Sequence, residues 1–304
     1  MRSSLRQALV LAAGLAGCVA ACNAASAAPL LCDRGVPMTA AQQDRLLRFA
    51  AIVKQALDGS GREVALVARS GLDLQRFGIR YSHAGVSLQA SGNGPWSVRQ
   101  LYFACEEGRP RLYDQGMAGF VLGTSRPEIG YISAVLLPAA PGAGLARAAL
   151  DDPLAVRLLA PRYSANAHAF GLRYQNCNQW VMEMLAAAWG SLGEGDDLRP
   201  QAQRWLAANG YAPEPVDVGS HLLMAAGAFV PWVHYDDHPE EDRFALKLRV
   251  SLPASIEAFV REHVPGAERI ELCHDGRQAV VRRGWAPVAE GCRPEAGDEV
   301  IALD

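Results

Sequence analysis

The sequence lacks several patterns that would assign it to a familiar functional class. It has no block of basic residues, and its net charge of −3 with a pI near 6.2 argues against nucleic acid as the main partner. A glycine-rich phosphate loop is missing, because Gly116 to Gly123 contains no lysine and no strand-to-helix context. Internal repeats and low-complexity tracts are also absent. What remains is a chain of ordinary globular composition, 304 residues long and about half apolar.

The N-terminus has the pattern of an export signal. Arg2 and Arg6 form a short basic region, Ala8 to Ala21 is apolar and uncharged, and Ala25-Ser26-Ala27 offers a small-residue cleavage site. The sequence therefore predicts a signal peptide over residues 1–27 and an exported, periplasmic protein. The apolar run is too short for a good membrane span, and no later run is longer, so we expect no transmembrane helix in the mature chain.

A lipid anchor is the alternative to simple cleavage. The stretches that end at Cys18 and at Cys22 both resemble the lipobox of bacterial lipoproteins. In that case the protein would be attached to the cell envelope.

Cysteine is scarce, and its number is informative. Cleavage near Ala27 leaves five cysteines, namely Cys32, Cys105, Cys177, Cys273 and Cys292. Disulfides form in exported proteins, and an odd number leaves one thiol without a partner in the chain. Cys273 and Cys292 flank a predicted hairpin and are expected to pair, while Cys32 and Cys105 could tie the N-terminal segment to a strand. This pairing, which spacing alone does not fix, leaves Cys177 free, and catalysis is a good reason for a free thiol.

The segment around Cys177 reads as a turn that leads into a helix. Asn176 is a good N-cap, and the following apolar residues recur at helical spacing: Trp180, Val181, Met184, Leu185 and Ala188. Cys177 then lies in the first turn, where the helix dipole and the unpaired amides favour a thiolate. The alternative is a small buried thiol packed under a helix.

A second chemically suggestive residue, His83, lies on a predicted strand from Ile79 to Gln89. His83 alternates with apolar residues and shares a face with Gly85 and Ser87, which suits a ring that faces a groove. The alternative is a surface histidine on a half-exposed strand. The next predicted strand, Ser97 to Glu106, presents both Gln100 and Glu106 on one face.

Other segments predict the surrounding elements. Thr39 and Gln42 form a capping-box pattern at the start of a helix. Pro138 to Gly144 is rich in helix breakers and reads as a link, and Asp275-Gly276 predicts a hairpin turn.

Two segments carry a resemblance to known families: Phe77 to Gly85 and Arg173 to Trp180. They resemble a family of exported bacterial proteins of unknown function, over nearly the whole mature chain. They are also similar to circularly permuted NlpC-type papain-like enzymes, the group that includes lecithin-retinol acyltransferase. In this group the histidine strand precedes the cysteine helix, as it does here.

The second resemblance implies an α+β fold with a permuted papain-like core. That core would be a six-stranded antiparallel sheet with a packed cysteine-bearing helix. Residues 28–304 would form a single domain, with the core at about 39–190 and a C-terminal elaboration at about 191–304.

The resemblance also implies site residues. Cys177 would be the nucleophile and His83 the base, and a third polar residue on the following strand would be Glu106 or Gln100. The oxyanion could be met by the Cys177 amide and by a neighbouring donor such as the Gln175 side chain. Cys105 would be a rival thiol unless it is in a disulfide.

These observations predict an exported cell-envelope cysteine hydrolase or acyltransferase. It would cleave an amide, ester or thioester bond in a peptide, peptidoglycan or lipid substrate, with no cofactor. Two alternatives remain: a non-catalytic envelope binding or assembly protein of the same fold, and a redox role for Cys105 and Cys177. The residues His234, Asp236, Asp237 and His238 match no established ligand spacing, so we expect a solvated acidic loop over 235–242 and no metal site.

Overall fold

The computed structural model describes residues 36–193, 195 and 197–303. The predicted signal peptide, both lipobox cysteines and Cys32 lie outside these residues. Within them the chain forms strands and helices of mixed order, which confirms the α+β class. The strands are β1 (Val64–Arg69), β2 (His83–Leu88), β3 (Ser97–Ala104), β4 (Arg109–Gln115), β5 (Gly130–Leu136), β6 (Pro215–Asp217), β7 (Lys247–Arg249), β8 (Glu268–His274), β9 (Gln278–Arg283) and β10 (Glu299–Ala302).

The helices are spread along the described residues, and four of them follow one another between β5 and β6. They are α1 (Ala40–Asp58), α2 (Met117–Leu122), α3 (Ala139–Leu150), α4 (Asp152–Arg157), α5 (Cys177–Trp189), α6 (Leu198–Ala208), α7 (His221–Gly227), α8 (Glu240–Phe244) and α9 (Pro253–His263). None of these described helices has both the length and the unbroken apolarity that a bilayer crossing requires.

Eight strands form one antiparallel sheet in the order β10-β9-β8-β5-β1-β2-β3-β4. β6 and β7 pair separately. The C-terminal strands β8 to β10 therefore extend the main sheet beside β5, because β8 pairs with β5 along its whole length.

Apolar clusters lie on both faces of the sheet. On one face, α5 packs against β2 and β3, in a cluster that includes Leu66, Ala84, Leu101 and Trp180. On the other face, α1 and α2 cover the sheet in a cluster that includes Phe49, Val67, Val98 and Phe120. Because side chains alternate along a strand, neighbouring residues of β2 face different helices.

Several local predictions are confirmed. The side chains and backbones of Thr39 and Gln42 form the predicted capping box at the start of α1. β8 and β9 form the predicted hairpin around Asp275-Gly276, and Cys273 is bonded to Cys292.

The predicted link at Pro138 to Gly144 is wrong, because helix α3 begins at Ala139. Pro138 occupies the N-cap position and Pro141 lies in the first turn, where the amide that proline lacks has no helical partner to lose. Gly142 is buried on the side of α3 that faces Leu137 and Val64. The breaker residues thus start this helix and let it pack closely.

Candidate active site

Cys177 is the first residue of α5, as predicted. The Asn176 side chain caps the helix, since its Oδ1 accepts a 2.7 Å hydrogen bond from the Gln179 amide. Asn176 Nδ2 donates to the carbonyl oxygens of Ala165 and Ser251 at 3.2 and 3.3 Å. The turn before Cys177 is therefore fixed on both sides, which fixes the position of the sulfur.

The sulfur lies against the start of β2. Cys177 is 4% exposed, and its Sγ is 4.0 Å from the carbonyl oxygen of Ser82. Burial raises the pKa of the Cys177 thiol to about 11, although the amides of Ala84, Cys177 and Asn178 and the charge of Arg69 act in the opposite direction. The helix start alone was expected to favour a thiolate. In the structure burial outweighs it, so the resting group is a neutral thiol.

His83 begins β2 and is held by a chain of side-chain amides. Its Nε2 lies 2.6 Å from Oε1 of Gln100 on β3, and Gln100 Nε2 donates to Gln115 Oε1 at 2.8 Å. Because Gln100 presents its oxygen to the ring, Nε2 must carry the hydrogen, and Nδ1 is left with a free lone pair. This tautomer is the one that a general base acting through Nδ1 requires.

The imidazole is also neutral at rest. Burial lowers the pKa of His83 to about 3, the charge of Arg69 lowers it further, and the hydrogen bond with Gln100 acts in the opposite direction. The ring packs against Tyr102 and Phe120, with centroid distances of 4.9 and 6.1 Å.

Cys177 and His83 both lie at the start of β2, but on different sides of the strand. The sulfur contacts the carbonyl of Ser82, and the amide of Ala84 acts to lower the pKa of the thiol; these two residues flank His83. Ala84 packs with Cys177 on the α5 side, whereas the ring leans toward Phe120 on the α2 side. In the described part of the chain, no direct hydrogen bond joins the thiol to the imidazole.

Glu106 is not beside His83. β3 ends at Ala104, so Glu106 lies exposed in the turn that leads to β4, beyond the strand face on which the prediction placed it. Gln100, the other candidate, lies six residues earlier in the chain, on β3 itself, and makes the contact with His83.

Gln175 is not available as an oxyanion donor. It is fully buried, and its Nε2 donates to Leu158 O at 2.8 Å and to Glu183 Oε2 at 2.5 Å, while its Oε1 accepts from the Ala160 amide. Both amide hydrogens are therefore used within the protein. The backbone amides of Cys177 and Asn178, at the start of α5, instead act to lower the pKa of the thiol.

A buried ion pair behind α5 was missed by the sequence analysis. Glu183 is completely buried, and its carboxylate accepts from Arg199 of α6 at 2.8 and 2.9 Å. Arg199 also donates to the carbonyl oxygens of Leu172 and Tyr174, in the loop that leads to Cys177. No pattern of neighbouring residues in the sequence predicts this ion pair, because Glu183 and Arg199 lie on different helices.

The structure also shows the bonding state of the other two cysteines among the described residues, Cys105 and Cys177. Cys105 is in a disulfide, and Cys177 is free and buried. Cys105 is therefore not a rival thiol, and it does not form a redox pair with Cys177.

An aromatic group lies beside the site on β3. Phe103 stacks on Tyr163 with centroids 5.1 Å apart and contacts Trp232 at 6.2 Å, and all three side chains are partly exposed. Phe103 lies two residues after the buried Leu101, on the side of β3 that faces α5. These rings form a partly exposed apolar surface.

A cleft of about 330 Å³ lies next to the loop between β1 and β2. Its lining includes Ser70, Leu72, Arg80, Tyr131 and Glu290, and neither Cys177 nor His83 is part of it. Ser82 connects the cleft wall to the sulfur: its Oγ accepts from the Gly71 and Leu72 amides at 3.1 and 2.9 Å, while its carbonyl contacts Cys177.

The acidic segment 235–242 is packed, which corrects the expectation of a solvated loop. His238 is 4% exposed and bonds the carbonyl of Asn166 through Nε2, and Asp237 accepts from the His168 amide. These contacts hold the segment against the loop that precedes Cys177. Over the described residues, no group of three His, Cys, Asp or Glu side chains is arranged to hold a metal ion.

Comparison with known proteins gives one match. No curated protein and no solved structure matches the chain. A family model for uncharacterised proteins conserved in bacteria, DUF2145, matches residues 56–260, a range that contains His83, Gln100 and Cys177 and ends before β8. The expectation of a bacterial family of unknown function is thereby confirmed. The chain belongs to the uncharacterised bacterial family DUF2145.

Proposed function

We propose that this protein is a cysteine hydrolase or acyltransferase that uses Cys177 and His83 on an amide, ester or thioester bond. The observation that carries the proposal is the chain from Gln115 through Gln100 to His83, which fixes the imidazole tautomer beside the segment that the sulfur contacts. An imidazole held in one tautomer by a third polar group is the arrangement that nucleophilic catalysis by a thiol requires.

In the proposed reaction, Cys177 Sγ attacks the carbonyl carbon while its proton passes to Nδ1 of His83. The tetrahedral intermediate then collapses, and His83 returns the proton to the departing amine, alcohol or thiol. The acyl group remains on the sulfur until water or an acceptor molecule takes it. The amides of Cys177 and Asn178 at the start of α5 would meet the oxyanion, and one such donor is worth about 3 kcal/mol where it has been measured.

The neutral resting state determines when the proton moves. With a thiol pKa of about 11, only about one molecule in 10⁴ is a thiolate at pH 7. Proton transfer to His83 must therefore accompany the attack, and the thiol and Nδ1 must approach each other when substrate binds. Catalytic hydrogen bonds that are long in a ligand-free enzyme commonly shorten in this way.

Similarity to permuted papain-like enzymes supports the same assignment. The histidine strand precedes the cysteine helix, and both elements are present as β2 and α5. The predicted export signal and cysteine pairing suggest an envelope location, with peptidoglycan stem peptides, other peptides or acyl lipids as substrates. The aromatic group of Phe103, Tyr163 and Trp232 would accept an apolar part of such a substrate.

Alkylation of the intact protein tests the proposal. Iodoacetamide at neutral pH should label Cys177, and His83→Ala should slow the labelling, because the imidazole accepts the thiol proton. General-base assistance is typically worth about 10²–10⁴-fold. His221→Ala, at the exposed start of α7, is the matched control and should leave the rate unchanged. Equal rates in wild type and His83→Ala would contradict a catalytic pair.

The second candidate is a non-catalytic envelope binding protein of the same fold. It is favoured by the 4% exposure of Cys177 and by the lack of a direct thiol–imidazole hydrogen bond in the described residues. In that case Cys177 would remain unlabelled under native conditions and would react only after unfolding.

A further inference from the structure

We propose that helix α7 and two phenylalanines beside it form a surface that binds a lipid bilayer through apolar side chains. This surface, which we call the apolar ridge, consists of Leu222, Ala225, Ala226, Phe229 and Phe244. It lies outside the residues proposed for chemistry, and the inference does not rest on the proposed function.

The apolar ridge contains the three most exposed large apolar side chains among the described residues. Leu222, Phe229 and Phe244 are 81, 85 and 80% exposed, and the next such side chain is 57% exposed. Phe244 ends α8 beside the start of α7, because its ring centroid is 6.0 Å from that of His221. Apolar residues exposed singly are common, whereas a group of them on one part of the surface marks an interaction site.

Helix α7 is apolar on two sides, and only one side is covered by the protein. Leu223 and Met224 are partly buried against the small cluster that includes Leu248. Leu222 and Ala226 are exposed and lie one turn apart on the other side of the helix. A helix that is apolar all round is normally buried all round, so the outer side of α7 lacks its cover.

The charge pattern favours an uncharged lipid surface as that cover. Residues 218–235 include no Asp, Glu, Lys or Arg. The exposed charges near Phe244 in the sequence have both signs, since they include Glu241 and Lys247. The apolar ridge therefore presents no single-sign field to a charged partner. Leucine and phenylalanine side chains of this kind enter the boundary between lipid headgroups and acyl chains.

The sequence before the described residues provides a second reason to expect a bilayer nearby. The stretches that end at Cys18 and Cys22 resemble lipoboxes, and at most eighteen residues connect either cysteine to Val36. A single acyl chain gives only marginal, reversible membrane binding, so stable attachment requires a second contact. The apolar ridge provides such a contact.

The segment that carries the apolar ridge is also joined to the loop that leads to Cys177. Trp232 follows Phe229 by three residues, and its carbonyl oxygen accepts a 2.8 Å hydrogen bond from the Ala165 amide. The Trp232 ring lies 6.2 Å from the ring of Phe103. Binding of the apolar ridge to a bilayer would therefore bring the aromatic group of Phe103, Tyr163 and Trp232 close to the lipid surface.

Co-sedimentation with phosphatidylcholine vesicles tests the proposal. The parent is the exported, processed protein with Cys18→Ser and Cys22→Ser, so that no lipid is attached to it. The parent should bind the vesicles, and Leu222→Ser should lower the partition coefficient by about tenfold, because it removes one apolar side chain from the lipid. Leu47→Ser, which changes a half-exposed leucine of α1, is the matched control and should bind as the parent does. Both variants should keep the thermal midpoint of the parent.

Further measurements separate a bilayer from other occupants of the apolar ridge. High salt and added anionic lipid should leave the binding unchanged, and salt-sensitive binding that requires anionic lipid would overturn the proposal. Absence of vesicle binding, or equal binding by the parent and Leu222→Ser, would also overturn it. A dimer in lipid-free solution that Leu222→Ser dissociates would assign the surface to a second copy of the chain instead. Cys177→Ser should bind vesicles as the parent does, so failure of the proposed chemistry would leave this result unaffected.

Discussion

The imidazole Nε2 of His83 and the amide Oε1 of Gln100 lie 2.6 Å apart on neighbouring strands. This contact selects one tautomer of His83, and the hydrogen bond from Gln100 to Gln115 holds the amide in the orientation that does so. The residue that orients the proposed base is therefore an uncharged amide on β3.

Gln100→Leu should slow iodoacetamide labelling of Cys177 by about tenfold or more while leaving the fold intact. Leucine fills a similar volume but cannot accept from Nε2, so the ring is free to adopt the tautomer with its hydrogen on Nδ1. The labelling rate at pH 7 and the thermal midpoint measure the two effects separately.

Glu106→Ala is the control for this measurement, because Glu106 is exposed in the turn after β3. It should label at the wild-type rate. A slower Glu106→Ala together with an unchanged Gln100→Leu would assign the third role to Glu106 instead.

The pH dependence of labelling should differ between wild type and His83→Ala. In wild type the reactive state is a neutral thiol beside a neutral imidazole, and this state dominates between pKa values of about 3 and about 11. The rate should therefore be nearly constant from about pH 5 to 9. Without His83, attack depends on free thiolate, so the rate should rise about tenfold per pH unit. Parallel profiles for the two proteins would contradict proton transfer to His83.

Acid should destabilise the fold through two buried histidines. Burial lowers the pKa of His83 to about 3 and of His274 to about 4, below the unfolded value near 6.5. As pH falls below about 6.5 the unfolded chain binds protons that the folded chain does not, so stability is complete above that pH and decreases below it. Each histidine contributes a slope of about 1.4 kcal/mol per pH unit. Urea unfolding from pH 7 to 5 should show that His274→Gln removes one of the two contributions.

Arg199→Met should destabilise the protein by about 3–5 kcal/mol, because it leaves the buried carboxylate of Glu183 without its cation. Arg204→Met, which breaks an exposed pair with Asp197, should cost less than about 1 kcal/mol. Urea unfolding measures both. Adding Glu183→Met to Arg199→Met should recover much of the loss, and a double variant no more stable than Arg199→Met would contradict the explanation.

Gly85→Ala should destabilise the sheet by about 1–3 kcal/mol through overpacking. A Cβ at Gly85 would lie 2.5 Å from Val98 Cγ1 and 2.9 Å from the Arg99 carbonyl oxygen. Gly92→Ala has open space around it and should change stability by less than about 0.5 kcal/mol. If Gly85→Ala matched Gly92→Ala in urea unfolding, the close approach of β3 would not be the reason for glycine here.

Local patterns in the sequence were sufficient to predict the elements that carry the site. The N-cap at Asn176 and the apolar spacing after it locate the start of α5, and alternation around His83 locates β2. These signals arise from interactions within a few residues, so they can be recognised without the tertiary structure. Predictions failed where partners are distant: Gln175 is bound by Leu158 and Glu183, and no neighbouring residue reveals this.

Two further differences between prediction and structure, at Cys177 and at Glu106, also depend on the tertiary structure. The pKa of Cys177 depends mainly on how deeply the thiol is buried between α5 and β2. The sequence indicates that the thiol lies at a helix start, but it does not indicate how deeply the thiol is buried. Glu106 was predicted to lie on a strand face because counting every second residue from Gln100 reaches Glu106. In the structure the strand ends at Ala104 and a turn follows.

The position of strand β5 affects how the chain folds while it is being synthesised. In the described part of the chain, one edge of β5 pairs with β1 and the other with β8, so that Leu136 pairs with Glu268, 132 residues later. Until β8 leaves the ribosome, this strand, whose residues are all buried in the finished fold, has an open edge to which other nascent chains can add. Closing so long a loop is slow, and a product truncated before residue 268 would keep that edge and tend to aggregate. The C-terminal strands thus protect the sheet against intermolecular pairing, although they lie outside residues 56–260, the range that the family model matches.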